Sequence, residues 1–346
     1  MGKIKVGIIG AGNIAQNAHI PAYLKQADAK LHAVYDLKES RSREVAQRFG
    51  IEHAAKSLEE LVSLPELDAV SICSWNNAHC EGVIAAAEAG KHILCEKPMA
   101  LTVAEAEAMG KAVEKNDVVF MMGFVNRFRR ESEIIRRFSK QGKFGEIYYG
   151  KTGIIRRRGT PLGWFTDLAK SGGGPVIDLG VHAIDLTWYF MGKPKPLSVS
   201  AVTYSKIGDY KTKGVSRWEA LDTDDLVFET EDSAAALIRF AGGAAMSVEV
   251  SWAVNGPERG IYSTVYGTKA GASLDPFTIY GEDGGYLTDT QPVVESKDMF
   301  ENQIRHFLDC IKTGKEPLAP LADGITIQKI LNGIYKSAEL QKEIEL

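Results

Sequence analysis

No Cys-x-x-Cys pair occurs among the four cysteines, Cys73, Cys80, Cys95 and Cys310. The usual spacing of a redox dithiol or a zinc ribbon is therefore missing, and reduced, mostly buried thiols are expected. No apolar run reaches the ~20 residues that a membrane-spanning helix needs. Signal-peptide architecture is absent too, because the N-terminus runs straight into a strand-like segment; a cytoplasmic protein is expected. Net charge is -4 over 346 residues, so no global field attracts nucleic acid or an anionic membrane. Repeats and low-complexity tracts are also lacking. What remains, 45% hydrophobic and 25% charged, is the balance of a globular protein, and the length suits two domains.

The first third carries a nucleotide-binding pattern. Lys3–Gly10 is a β-rich run ending in glycine, followed by Gly10-x-Gly12-x-x-Ala15. Gly10 permits a tight strand-to-helix turn, Gly12 a close backbone approach to a pyrophosphate, and Ala15 tight helix packing. The N–H groups at the helix start, around Asn13 and Ile14, would receive the phosphates. A second strand, Leu31–Tyr35, ends at Asp36, the acid expected to take the adenosine ribose hydroxyls. NAD is the expected cofactor. Lys38 and Arg41 lie close enough in sequence to admit NADP as the alternative.

Strand and helix patterns then alternate. Helices are expected at 39–49, 79–89 and from 102 to about 115, with strands at 68–73, 91–95 and 118–122. Ser57-Leu58-Glu59-Glu60 and Thr102-Val103-Ala104-Glu105 read as capping boxes. This alternation predicts an α/β doubly wound parallel sheet, which binds ligands at the carboxyl ends of its strands. Gly10, Asp36, Ser74-Trp75-Asn76 and Glu96-Lys97 all fall at such ends and should share one edge.

After residue 123 the pattern changes, which divides the chain into 1–123 and 124–346. A charged helix at 130–141 leads to a strand at 146–158. Gly172-Gly173-Gly174-Pro175 opens a helix on which Asp178, His182 and Asp185 follow at i, i+4 and i+7, on one face. No Cys or His cluster backs a metal site there, and none is expected. Segments 196–206, 225–231, 234–240, 244–252 and 260–266 read as strands, and 299–312 and 323–340 as helices. The sum is a second α/β domain with a large, mostly antiparallel open sheet. Too few helices follow residue 190 to cover both of its faces, so a homodimer or homotetramer is expected. Arg158, in the basic triplet 156–158, is a candidate for an acidic or phosphate group on a substrate. Trp164 and Phe165 are candidates for stacking on a sugar ring.

Gly10-x-Gly12-x-x-Ala15, Asn76-x-x-His79, Ala87-x-Ala89-Gly90-Lys91-His92-Ile93-Leu94-Cys95-Glu96-Lys97-Pro98 and Asp178-x-Gly180-x-His182-x-x-Asp185 occur in that order. Together they resemble the glucose–fructose oxidoreductase / inositol dehydrogenase (Gfo/Idh/MocA) family of nicotinamide-dependent oxidoreductases, over essentially the whole chain. The resemblance implies an N-terminal Rossmann domain and a C-terminal α/β domain used for oligomer contacts. It implies Lys97 as the catalytic lysine, His182 as general acid/base and Asp178 as a substrate-contacting or orienting group. Ser74, Trp75, Asn76, His79, Glu96 and Lys97 join Gly10, Gly12, Asn13, Ile14 and Asp36 as cofactor-binding candidates. Many members have Thr-Pro-Asn where this chain has Ser74-Trp75-Asn76. A cis Lys97-Pro98 peptide is expected. Oxidising a secondary alcohol needs a base for the hydroxyl proton and a donor for the developing alkoxide, and imidazole and ammonium suit those tasks. Such donors and acceptors fit a sugar, sugar derivative or inositol. The alternatives are a redox-neutral NAD-dependent glycosidase and a non-catalytic nucleotide-binding regulator.

Overall fold

Val6, Ile8, Val34, Val70, Ile72, Ile93 and Leu94 are completely inaccessible to solvent. Strands with apolar residues on both faces belong between two layers of helices, and these pack as a parallel sheet. The computed structural model describes residues 2–215, 217–221 and 227–346. Its first sheet contains β1 (Ile4–Ile9), β2 (Ala29–Tyr35), β3 (His53–Ala54), β4 (Ala69–Ile72), β5 (His92–Cys95) and β6 (Phe120–Met122). Their order is β3-β2-β1-β4-β5-β6, and every pair is parallel. That is the doubly wound dinucleotide-binding order, with its reversal between β1 and β4.

The local signals act as expected. Thr102 accepts a hydrogen bond from the Glu105 N–H, and the Glu105 carboxylate accepts from the Thr102 N–H, a complete capping box. The Ser57 box is looser: Ser57 accepts from Glu60 N–H, but Glu60 reaches back to the N–H of Lys56, one residue earlier.

The second sheet has nine strands in the order β14-β13-β12-β11-β7-β10-β9-β8-β15. They are β7 (Ile147–Ile155), β8 (Pro196–Tyr204), β9 (Ser233–Phe240), β10 (Ala245–Ser251), β11 (Arg259–Gly267), β12 (Gly271–Ser273), β13 (Thr278–Asp283), β14 (Tyr286–Thr290) and β15 (Ile344–Glu345). Only β7 and β10 pair in parallel. The helix Val181–Phe190 lies on this sheet, tied by Thr152 Oγ1 donating to Ala183 O at 3.1 Å and by the Thr187 and Ser263 hydroxyls, 2.6 Å apart.

Two sequence expectations differ from this fold. Of the strand expected at 225–231, residues 225 and 226 lie outside the described residues, and 227–231 form no strand. Conversely, β12 to β15 carry no apolar alternation: Tyr286 and Leu287 on β14 are exposed, and the strand pairs only with β13. Edge strands of this kind are held by backbone pairing, so a pattern search for buried faces passes over them.

The chain forms two compact units. One runs to Val125 and takes in Asp298–Gln328; the other holds Asn126–Lys297 and Lys329–Leu346. A single cut at 123/124 does not provide for the return of 298–328 to the first unit. Among the described residues no helix is long and apolar enough to cross a membrane.

Candidate active site

In the first unit, the turn after β1 meets the end of β4 where the strand order reverses. Gly10 has φ +89°, and a Cβ there would stand 2.5 Å from the Ser74 backbone nitrogen, so only glycine fits. A Cβ on Gly12 would meet nothing within 4 Å, which leaves open space over the turn. Asp36 locks this turn from β2. Its Oδ2 accepts from Ala11 N–H at 2.8 Å and its Oδ1 from Lys38 N–H at 2.9 Å, with the Arg41 guanidinium 3.3 Å away. Asn13 and Ile14 follow at the helix start, Ile14 exposed. An open glycine turn, a helix start and a fixed acid at the end of β2 fit the pyrophosphate and ribose of a dinucleotide.

The ends of β4 and β5 carry the other candidates of this unit. Ser74 and Trp75 are partly exposed, and Asn76 is buried. His79 is fully buried, with Nδ1 2.8 Å from Pro98 O and Nε2 3.2 Å from Ser74 O. Expected as a cofactor contact, its ring lies buried between the two loops, and as a neutral imidazole it has one N–H to donate to one of these carbonyls. Burial lowers its pKa, against the pull of those two carbonyls. The Lys97-Pro98 peptide is cis, as expected. From Ile93 to Ala100 every residue is buried except Lys97. Beneath it, Glu96 pairs with the fully buried His19. Burial alone would push the His19 imidazole down, but the Cys73 thiol and the Glu96 carboxylate outweigh it and raise its pKa to about 10.

In the second unit, the glycine run seats a helix. Glu231 accepts from the N–H groups of Gly174 and Val176 at 2.9 and 3.1 Å and from the Tyr335 hydroxyl at 2.8 Å. A Cβ on Gly174 would collide with Glu231 O at 2.2 Å, so the glycine lets this clamp close. Burial pushes the Glu231 carboxyl up, against those three hydrogen bonds. The helix opens with a π-helical turn, Val176–Gly180, and continues as the α-helix Val181–Phe190. From Gly173 to Met191 only Asp178 and His182 escape burial. Asp178 Oδ2 accepts from Trp252 Nε1 at 3.0 Å, and the Asn126 amide lies 3.3 Å from His182 Nδ1. Asp185, expected on the same face, is buried in an ion pair with Arg127, whose guanidinium also lies over the Tyr189 ring. Arg127 lies 58 residues earlier in the chain, so residue spacing gives no sign that it draws Asp185 into the core.

Arg158 and Trp164 are placed otherwise than expected. The Arg158 guanidinium donates to Arg157 O, Val254 O, Asn255 Oδ1 and Thr212 Oγ1, so four of its N–H groups are committed to its own loops. It braces the end of the strand rather than presenting a fork to an anion. Trp164 stacks on Phe165 at 4.1 Å, and Phe165 meets Trp218 edge-on at 5.1 Å. One Trp164 face is thus already used.

Sequence reasoning passed over His19, Asn126 and Trp252, which contact Glu96, His182 and Asp178, and over Glu231 and Tyr335, which clamp the glycine run ahead of the helix. All make these contacts from far along the chain. A fixed spacing identifies partners on one helix, not these. Among the described residues, a trio of groups able to hold a metal ion occurs elsewhere in the first unit, at His32, Glu52 and His53.

Residues 4–124 match the family model described as an oxidoreductase family, NAD-binding Rossmann fold. Residues 140–346 match its companion, an oxidoreductase family C-terminal alpha/beta domain. The chain is 33% identical over 348 residues to a D-glucoside 3-dehydrogenase of Escherichia coli (strain K12), covering 99% of this chain and 97% of that one. It is 28% identical over 357 residues to a myo-inositol 2-dehydrogenase of Thermotoga maritima, covering 99% and 98%. Among solved structures, an aldose-aldose oxidoreductase from Caulobacter crescentus complexed with glycerol superposes with TM-score 0.84 at 26% identity, over 99% of this chain and all of that one.

Proposed function

The chain belongs to the Gfo/Idh/MocA family of NAD-binding oxidoreductases, and on that premise we propose that it moves a hydride between NAD(H) and a secondary hydroxyl or keto group of a sugar, sugar derivative or inositol. The observation that carries this reading is the selective exposure of Asp178 and His182 on an otherwise buried helix. Burying a helix on all sides while leaving a carboxylate and an imidazole one turn apart accessible is an arrangement for chemistry, not for stability. The substrate class also draws support from the sugar and inositol dehydrogenases to which the chain is similar.

Gly10, Gly12 and the helix start with Asn13 and Ile14 would hold the pyrophosphate, and Asp36 the adenosine ribose. Ser74, Trp75, Asn76, Glu96 and Lys97 would line its path. When bound, the nicotinamide supplies the hydride-accepting carbon. His182 takes the hydroxyl proton on oxidation and returns it on reduction. An amide has a donor and an acceptor end, so Asn126 can hold the His182 ring with its proton on either nitrogen. Lys97 donates to the reacting oxygen as it gains charge. Asp178, with Oδ2 fixed by Trp252, accepts from a hydroxyl beside the reacting one.

The second face of the nine-stranded sheet exposes Val202, Tyr204, Tyr266 and Tyr280. Homodimer or homotetramer assembly through this face is part of the proposal, as is a cytoplasmic setting, in which four unpaired thiols are at home.

A panel of sugars, glycosides and inositols, followed by NADH absorbance, tests the reading. Stoichiometric NADH from at least one polyhydroxylated substrate, lost in His182→Ala, is expected. Glycoside cleavage without net NADH would replace it with redox-neutral chemistry. Tight NAD binding with no turnover on any substrate would leave a regulator.

A further inference from the structure

At the edge of the first sheet, His32 on β2, His53 at the start of β3 and Glu52 just before it bring together two imidazoles and a carboxylate. One ligand atom from each lies within 4.8 Å of the other two. The His32 and His53 rings meet edge to face, 4.6 Å between centroids. His32 is 97% buried, yet neither of its ring nitrogens has a hydrogen-bond partner. Nδ1 lies 2.8 Å from Glu52 Oε2 but is not aligned to bond with it. Buried polar atoms are nearly always satisfied, so a bare imidazole aimed at a carboxylate needs an explanation.

We propose that His32, Glu52 and His53 form a zinc site that fastens the edge strand β3 to β2, independent of the nucleotide and of catalysis. Two imidazole nitrogens and a carboxylate oxygen are a zinc donor set, with water as the fourth ligand. Lys30 already bonds Glu52 Oε1, which leaves Oε2 for the ion and gives the carboxylate the outer partner that ligating groups commonly have. Glu52 and His53 are exposed, so they can close onto an ion without repacking the core.

The test uses the full chain, stripped with a chelator and titrated with Zn²⁺ against a chromogenic zinc indicator. One Zn²⁺ per chain at micromolar concentration is expected, with a rise in melting temperature. Co²⁺ in its place should give the visible absorption of a four-coordinate site. His53→Ala and Glu52→Gln, both at the surface, should each weaken binding by more than about tenfold, a loss that even an outer-shell partner can cause. NADH binding should stay unchanged in both, which verifies the fold. Absence of Zn²⁺ binding, or binding that neither substitution alters, would overturn the proposal.

Discussion

Oε1 of Glu96 lies 2.8 Å from Nε2 of His19, and the two side chains are 8% and 0% exposed. The other oxygen of the same carboxylate accepts from the Lys97 N–H at 3.2 Å. A buried ion pair thus fixes the backbone from which the proposed catalytic lysine projects. Charges this deep are costly, and removing one partner strands the other. His19→Ala should destabilise the protein by roughly 3–5 kcal/mol. His19→Gln, which keeps a donor, should recover part of that loss. Chemical denaturation of the three proteins measures this, and equal stability would leave the pair without structural weight.

The same pair sets a pH dependence. His19 has its pKa raised in the folded chain to about 10 from 6.5, by Cys73 and Glu96 against the opposing effect of burial. The folded state therefore binds the proton more tightly than the unfolded state. Its contribution to stability is complete below pH 6.5 and is lost as pH rises through about 10. The melting temperature should fall between these limits, and the fall should be shallower in His19→Gln. Parallel curves for the two proteins would show that other groups govern the slope.

Asp36 predicts a preference for NAD over NADP, because its carboxylate would bond the ribose hydroxyls and repel a 2′-phosphate. Arg41, 3.3 Å away, is held by that carboxylate. Asp36→Ser should remove the repulsion and release the guanidinium, raising kcat/KM for NADP relative to NAD. Since Asp36 also anchors the Ala11 N–H, both values should drop in absolute terms. Steady-state kinetics with each cofactor decide it. An unchanged ratio would separate Asp36 from cofactor choice.

Trp252 tests the orientation of Asp178. Trp252→Phe keeps a buried ring but removes the N–H that bonds Oδ2. The loss should be about 1.5–3 kcal/mol in kcat/KM, as for a hydrogen bond to a charged group. Its main share should be a higher KM for the sugar, because Asp178 is assigned to a neighbouring hydroxyl rather than the reacting one. A fall in kcat alone would move Asp178 into the proton transfer.

The first unit was legible because its signals are local. Gly10, Asp36 and the strand ends follow from short spacings and regular alternation, and the strand order agrees with them. Asp178 and His182 were legible as a pair one turn apart. Asp185 was misread because its ion-pair partner Arg127 lies 58 residues away. Arg158 was misread because its partners Val254 and Asn255 lie about a hundred residues away. The strands β12 to β14 gave no signal because their pairing is carried by backbone groups. Sequence patterns report local geometry and faces; they do not report which distant group has already satisfied a charge.

Lys97 and His182 carry the sharpest prediction. Lys97 is the one accessible residue between Ile93 and Ala100, and its backbone N–H is held by the Glu96 carboxylate. Lys97→Ala removes a donor aimed at the reacting oxygen and should lower kcat on the order of 10²–10³. NAD binding should be nearly intact, because the glycine turn and Asp36 are assigned to the dinucleotide. His182→Ala removes the proton acceptor and should cost roughly 10²–10⁴. If both serve one proton pathway, the second loss removes a step that the first has already disabled. The double variant should then retain more activity than the product of the single losses predicts. Multiplicative losses would mean that the two residues act in separate steps. Near-wild-type turnover of Lys97→Ala on the best substrate found would remove the catalytic assignment and favour a regulator.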